Sequence, residues 1–141
     1  MALVVHALGS LHKALVPITS CLLACGGSAL EGVLLGGEGL LELTQHGVPY
    51  ECGLARYREI ARGQLISDPN GMLKLIFHQE SRRLLGVHAI GTGATELVPI
   101  GQTVMAAGMP IDYFVETVFN YPTLAEAYKV AALDGINRVN A

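Results

Sequence analysis

Asp68-Pro69-Asn70-Gly71-Met72-Leu73-Lys74-Leu75-Ile76-Phe77-His78, running through Gln79–Arg83 into Leu84-Leu85-Gly86-Val87-His88-Ala89-Ile90, is the stretch that decides the fold class. Pro69 presets its own φ, and Asn70 and Gly71 tolerate positive φ, so residues 68–71 are expected to turn. Met72–His78 then reads as a strand, polar Gln79–Arg83 as a connection and Leu84–Ile90 as the next strand. Upstream, Tyr50, Cys52, Leu54, Ile60 and Leu65 mark an imperfectly alternating stretch from Tyr50 to Ile66. It is expected to be a further strand, broken near Arg58–Ala61. Two strands around a turn followed by a third make an antiparallel meander.

Downstream the period changes to that of helices. Leu97, Ile100, Gly101, Val104, Met105 and Gly108 recur at helical spacing after Gly93, and Thr95 and Glu96 complement the helix start. Pro110 opens a shorter helix, Ile111–Val118, with Asp112 and Glu116 outward and Phe114 and Val118 inward. A last helix follows Asn120-Tyr121-Pro122, with Thr123 as N-cap and Glu126 completing a capping box, and runs through Ala125, Ala127, Ala131 and Ala132 to about Arg138. The fold class is therefore α+β, an antiparallel sheet packed by helices. Before the meander, Leu41–Gln45 reads as a short helix end closed by Gly47, and Val48-Pro49-Tyr50 leads out extended. Residues 1–41 hold Lys13, Glu31 and Glu38 as their Asp, Glu, Lys or Arg residues and show no period of 2 or 3.6. They are expected to be an atypical segment, out of frame or disordered.

A chain of 141 residues is about one domain's worth. Apolar residues make up 51% of it, charged residues 15%, and the mean hydropathy is +0.44, so the surplus apolar surface calls for a partner. A net charge of −3 without a basic block argues against nucleic acid. Cys21, Cys25 and Cys52 are too few for a disulfide scaffold, and neither their spacing nor any nearby His pair makes a metal site. Ala14–Ala24 is too short and too interrupted by Pro17, Thr19 and Ser20 to span a membrane. Leu22-Leu23-Ala24-Cys25 after Lys13 has the look of a lipoprotein signal. It leaves open an alternative, a stand-alone, non-enzymatic binding or lipid-anchored protein.

Gly91-Thr92-Gly93-Ala94-Thr95-Glu96 lies between a strand and a helix, as a dinucleotide fingerprint does. However, Glu96 stands where the third glycine belongs, and the preceding strands form hairpins. A turn with a helix start is the better reading. His78 and His88 are placed to face one another across the hairpin, and no Ser-His-Asp or Cys-His grouping is visible. The Asn120, Tyr121 and Glu126 cluster has two readings: a helix cap with a buried tyrosine, or a small site built on Tyr121 and Glu126.

At this cluster the chain resembles a known family. Asn120-Tyr121-Pro122-Thr123-Leu124-Ala125-Glu126-Ala127-Tyr128 is similar to the C-terminal signature of the flavin-dependent pyridine nucleotide-disulfide oxidoreductases, in their soluble FAD-containing transhydrogenase branch. Gly47-Val48-Pro49-Tyr50-Glu51, Gly71-Met72-Leu73-Lys74, Leu85-Gly86-Val87-His88, Ile100-Gly101-Gln102 and Ala131-Ala132-Leu133 add to it, so the likeness covers about residues 42–141. It implies that 42–141 is the dimerisation domain of an enzyme that passes hydride from NADPH to NAD through FAD. It also implies that Tyr121 and Pro122 approach the flavin of a partner subunit.

Disulfide-using relatives carry a histidine, as acid and base, and a glutamate that orients it, at the positions of Tyr121 and Glu126. Tyrosine, with an ordinary pKa of about 10, is an unsuitable base at pH 7, so dithiol chemistry is expected to be absent. Glu126 is expected to hydrogen-bond locally. The FAD- and NAD-binding domains and the redox cysteine pair of the family are not in this sequence. The resemblance therefore implies a fragment inactive alone, with no FAD or NAD(P) bound to this chain and no metal. Its implied partners are a second copy or the missing flavoprotein domains, with neither nucleic acid nor membrane, in the cytoplasm.

Overall fold

A computed structural model describes residues 32–35 and 40–141, with side chains from Leu43 onward. The elements in chain order are β1 (Gly32–Leu35), α1 (Leu40–Gln45), β2 (Tyr50–Arg56), a single 3-10 turn (Tyr57–Glu59), α2 (Ala61–Leu65), β3 (Met72–His78), β4 (Leu84–Ile90), α3 (Ala94–Ala106), α4 (Asp112–Glu116) and α5 (Glu126–Val139). The sheet is antiparallel in the order β1-β4-β3-β2. The expected meander is thus present as β2-β3-β4, and the α+β class holds. The sheet also has a fourth strand, β1, within the segment where no strand was expected. It pairs with β4 from Gly32↔Ile90 to Leu35↔Val87.

Alternation along the strands decides which face is buried. Ala55, Leu73, Leu75, Phe77, Val87 and Ala89 are buried on the face that receives α3 and α5. Cys52, Leu54, Lys74 and His88, on the outer face, are half-buried. The small residues of α5 are used within this layer. A Cβ on Gly53 of β2 would fall on the Ala131 carbonyl and 2.8 Å from the Gly135 amide, and one on Gly135 would lie 2.5 Å from the Phe77 ring. The alanine-rich face of α5 is therefore used against the chain's own sheet, with Ala127, Ala131 and Ala132 fully buried.

α3 and α5 are joined by a buried phenol. The Tyr128 hydroxyl donates to the Leu97 carbonyl (2.7 Å) and accepts from the Gly101 amide (3.0 Å), two groups that an uninterrupted α-helix would pair with each other. Gly101 is needed there because a Cβ would strike Val87 and lie 2.9 Å from that hydroxyl.

Several expectations are corrected by pairing. Arg56 is already opposite Met72, the first residue of β3, so the chain beyond Arg56 has no strand to pair with. The 3-10 turn (Tyr57–Glu59) falls at the expected break, and the chain then forms α2 where the strand was expected to resume. In the 68–71 turn, Asp68 Oδ1 takes the Asn70 (3.1 Å) and Gly71 (2.9 Å) amides, and the left-handed residue is Ser67 (φ 55), not Asn70 or Gly71. Gly71 is needed for room instead, because any Cβ there would run into the Tyr57 ring.

His78 and His88 do not face each other: the register sets Tyr50 opposite His78 and Lys74 opposite His88. His78 Nδ1 instead accepts the Glu80 amide (3.2 Å) at the hairpin end. α4 stops at Glu116 because Thr117 is extended (ψ 139), which leaves Val118 90% exposed and off the inward face, while Phe114 is buried as expected. Gly47 does close α1, at φ 64, with its amide on the Thr44 carbonyl (3.1 Å).

Candidate functional site

The Tyr121–Pro122 segment projects because the chain on both sides of it is anchored. Phe119 before it stacks at 6.5 Å on both Phe114 and Tyr128, and the Phe114 and Tyr128 rings are 4.7 Å apart. After it, Leu124 packs on the core beside Gly93, where a Cβ would lie 3.3 Å from Leu124 Cδ1. Between these anchors the loop is tied across itself. Thr123 Oγ1 donates to the Asn120 carbonyl (2.7 Å), and Glu126 Oε1 accepts the Thr123 amide (2.7 Å).

The capping box is thus present in its glutamate half only, and the helix begins at Glu126 with Ala125 as N-cap instead of Thr123. Glu126 meets the loop backbone, accepting the Thr123 amide, as the local hydrogen bonding expected of it requires. Tyr121 is 75% exposed, so the reading of a helix cap with a buried tyrosine does not hold; the buried tyrosine nearby is Tyr128 of α5. The Tyr121–Pro122 peptide is cis.

Tyr121 and Pro122 form one wall of an open groove. Ala61, Gln64 and Leu65 of α2 form the other, and Leu65 is 66% exposed. Sequence reading missed this wall because it expected the strand to resume after a break near Arg58–Ala61. The signal that could have found it is the presence of the good helix formers Ala61, Arg62, Gln64 and Leu65, although Gly63 interrupts them.

α2 is held by Asp68. Besides the turn amides, its Oδ2 accepts the Thr92 amide (2.8 Å), and the Tyr57 hydroxyl donates to the Thr92 carbonyl (3.2 Å). Partial burial alone would raise the Asp68 carboxyl, but the hydrogen bonds from Thr92, Gly71 and Asn70 outweigh it and hold the group below its ordinary value. Cys52 lies on β2, and burial pushes its thiol up despite the nearby Lys74. It is thus a poor thiolate. Cys21 and Cys25 lie outside the described residues, as does the lipoprotein-like run. Among the described residues no group of three or more His, Cys, Asp or Glu is placed to hold a metal, and no helix is long and apolar enough to cross a membrane.

A two-layer domain that buries one sheet face and holds an aromatic segment out beside an apolar groove has the form of an association module. The chain belongs to the pyridine nucleotide-disulphide oxidoreductase dimerisation-domain family, whose model matches residues 37–132. Among its relatives, the soluble pyridine nucleotide transhydrogenase of Mycobacterium bovis (strain BCG / Pasteur 1173P2) is 57% identical over 101 residues, covering 72% of this chain and 22% of that protein. The soluble pyridine nucleotide transhydrogenase of Hahella chejuensis is 53% identical over 103 residues, covering 70% and 22%. The chain therefore spans about a fifth of the length of the curated relatives it matches. Among solved structures, LpdA from Mycobacterium tuberculosis superposes with a TM-score of 0.65 at 17% identity, over 71% of this chain and 22% of that one. The HOCl-induced flavoprotein disulfide reductase RclA from Escherichia coli does so at 0.63 and 22% identity, over 67% and 22%. These two show the fold.

Proposed function

We propose that residues 42–141 act as the self-association domain of a soluble transhydrogenase-type flavoprotein, with Tyr121 and Pro122 as the segment offered to a partner copy and its flavin. The observation that carries this is the position of Tyr121, exposed beside a groove while the rings that anchor its loop, Phe114 of α4 and Tyr128 of α5, are fully buried. An exposed aromatic ring and a proline beside an apolar groove suit one wall of a site for a planar ring system, and the chain's share of such a site is that wall alone. The chemistry a bound FAD supplies in such an enzyme is hydride carriage, by which NADPH is oxidised and NAD reduced. The contribution of this chain is to orient the wall. Glu126 fixes the loop through the Thr123 amide, and the Tyr121 phenol offers a hydrogen-bond donor where a histidine would offer a base. On this reading the domain carries no activity of its own, works without dithiol chemistry, and belongs in the cytoplasm.

Sedimentation equilibrium of the chain and of Tyr121→Ala tests it. Self-association is expected, weakened about tenfold or more in the variant, with an unchanged urea midpoint because the ring is exposed. FAD fluorescence anisotropy is expected to show no binding to the chain alone. Equal association constants for the two proteins would overturn the role of Tyr121.

A further inference from the structure

We propose that Asp68 is a positioning residue for the Tyr121–Pro122 segment: its backbone amide is tied to α2 and its carboxylate to the turn before α3, and these two pieces hold the segment from either side. The inference rests on the role given to that segment above. The bridge runs over the sheet end in consecutive contacts. On one side the Asp68 amide donates to the Gly63 carbonyl of α2 (3.2 Å), and Asp68 Oδ1 holds the amides of Asn70 and Gly71. On the other side Oδ2 holds the Thr92 amide (2.8 Å), one residue before Gly93, which touches Leu124.

The approach is close enough to require glycine. Gly91 has φ 118, and a Cβ there would lie 2.6 Å from Gly71 Cα and 3.0 Å from Asp68 Oδ2. Tyr57, fully buried, adds a second strut, with its amide on the Gly71 carbonyl (2.8 Å) and its hydroxyl on the Thr92 carbonyl (3.2 Å). The α2 side presents Ala61, Gln64 and Leu65 to Tyr121 and Pro122, and the Thr92 side presents Gly93 to Leu124. Asp68 and Tyr57 thus span the gap between the two sides of the groove.

Asp68→Asn separates the bridge from the turn. Asparagine keeps one acceptor for the Asn70 and Gly71 amides but turns a donor towards the Thr92 amide, which already donates. In the full chain, two-dimensional NMR of Asp68→Asn is expected to shift the Tyr121 and Leu124 amides. The Leu75 and Val87 amides should stay in place. Self-association should weaken severalfold. Tyr57→Phe, which removes the second strut only, is expected to shift the same amides by less, and it keeps the test open if Asp68→Asn fails to fold. Wild-type Tyr121 and Leu124 shifts in a folded Asp68→Asn variant would overturn the proposal, even with a lowered melting point, since a merely structural carboxylate would move stability alone. Failure of the docking role is distinguishable: Tyr121→Ala would then associate as wild type while the Asp68→Asn shifts persisted.

Discussion

His88 shows how a single residue ties the outer sheet face to solution conditions. Burial first, and the Lys74 ammonium opposite it second, push its imidazole down from 6.5 to about 4. The folded chain therefore binds a proton less readily than the unfolded chain does. Between pH 6.5 and about 4 the unfolded state holds more protons, so stability rises with pH and is lost on acidification through that window. From pH 7 to pH 5 the loss from this residue is expected to be about 2 kcal/mol. Asp68 and Glu59, both held below their ordinary carboxylate values, contribute stability that disappears only at lower pH, as each is protonated. Urea midpoints of wild type and His88→Leu at pH 7 and pH 5 check this. The wild type should fall markedly more than the variant between the two, and parallel curves would exclude the assignment.

At the level of elements, the decisive contact is that of α5 on β2, a strand at the sheet edge. Three outward amides of β2 are met by carboxylates of the same chain: Cys52 by Glu51 (2.8 Å), Leu54 by Asp134 of α5 (2.9 Å) and Arg56 by Glu59 (3.0 Å). These carboxylates disfavour strand addition along that edge. The helix can reach the edge because Gly53 and Gly135 let the backbones touch. Gly53→Ala is expected to cost about 3 kcal/mol, since its Cβ meets backbone that cannot rotate away. Gly47→Ala meets nothing within 4 Å and pays only for its positive φ, about 1 kcal/mol. Chemical denaturation of the two variants gives the ranking.

The same contacts separate what the sequence revealed from what it concealed. β3, β4 and α3 were legible because their periods are local, and the Tyr121, Pro122 and Glu126 cluster because it is contiguous. The use of the α5 alanines was not, because their partner Gly53 lies far back in the chain. α2 was hidden because strand pairing ends at Arg56 and Met72, a fact of register. Asp68 was legible as a turn residue but not as a bridge, because Thr92 is brought to it only by folding.

On the scale of the whole molecule, two of the exposed large apolar side chains among the described residues share one groove. The helices of the inner layer bury their small faces on the sheet and the β2 edge is capped, while Leu65 and Tyr121 stand 66% and 75% exposed on either side of one groove. If this groove forms part of the self-association surface, Leu65 contributes by burial in the assembly and little to folding of the single chain. Covering a leucine side chain contributes about 1.5–3 kcal/mol, and each 1.4 kcal/mol is about a factor of ten in a dissociation constant. Leu65→Ser is accordingly expected to weaken self-association by about tenfold or more while moving the folding free energy by less than about 0.5 kcal/mol. Because Leu65 and Tyr121 share the groove, their effects should not add: the double variant should be weaker than either single one by less than the product of the two factors. Sedimentation equilibrium on the four proteins measures that coupling. Additive effects would place the two side chains in separate contacts, and an unchanged constant for Leu65→Ser would move the interface to the half-buried outer face of the sheet.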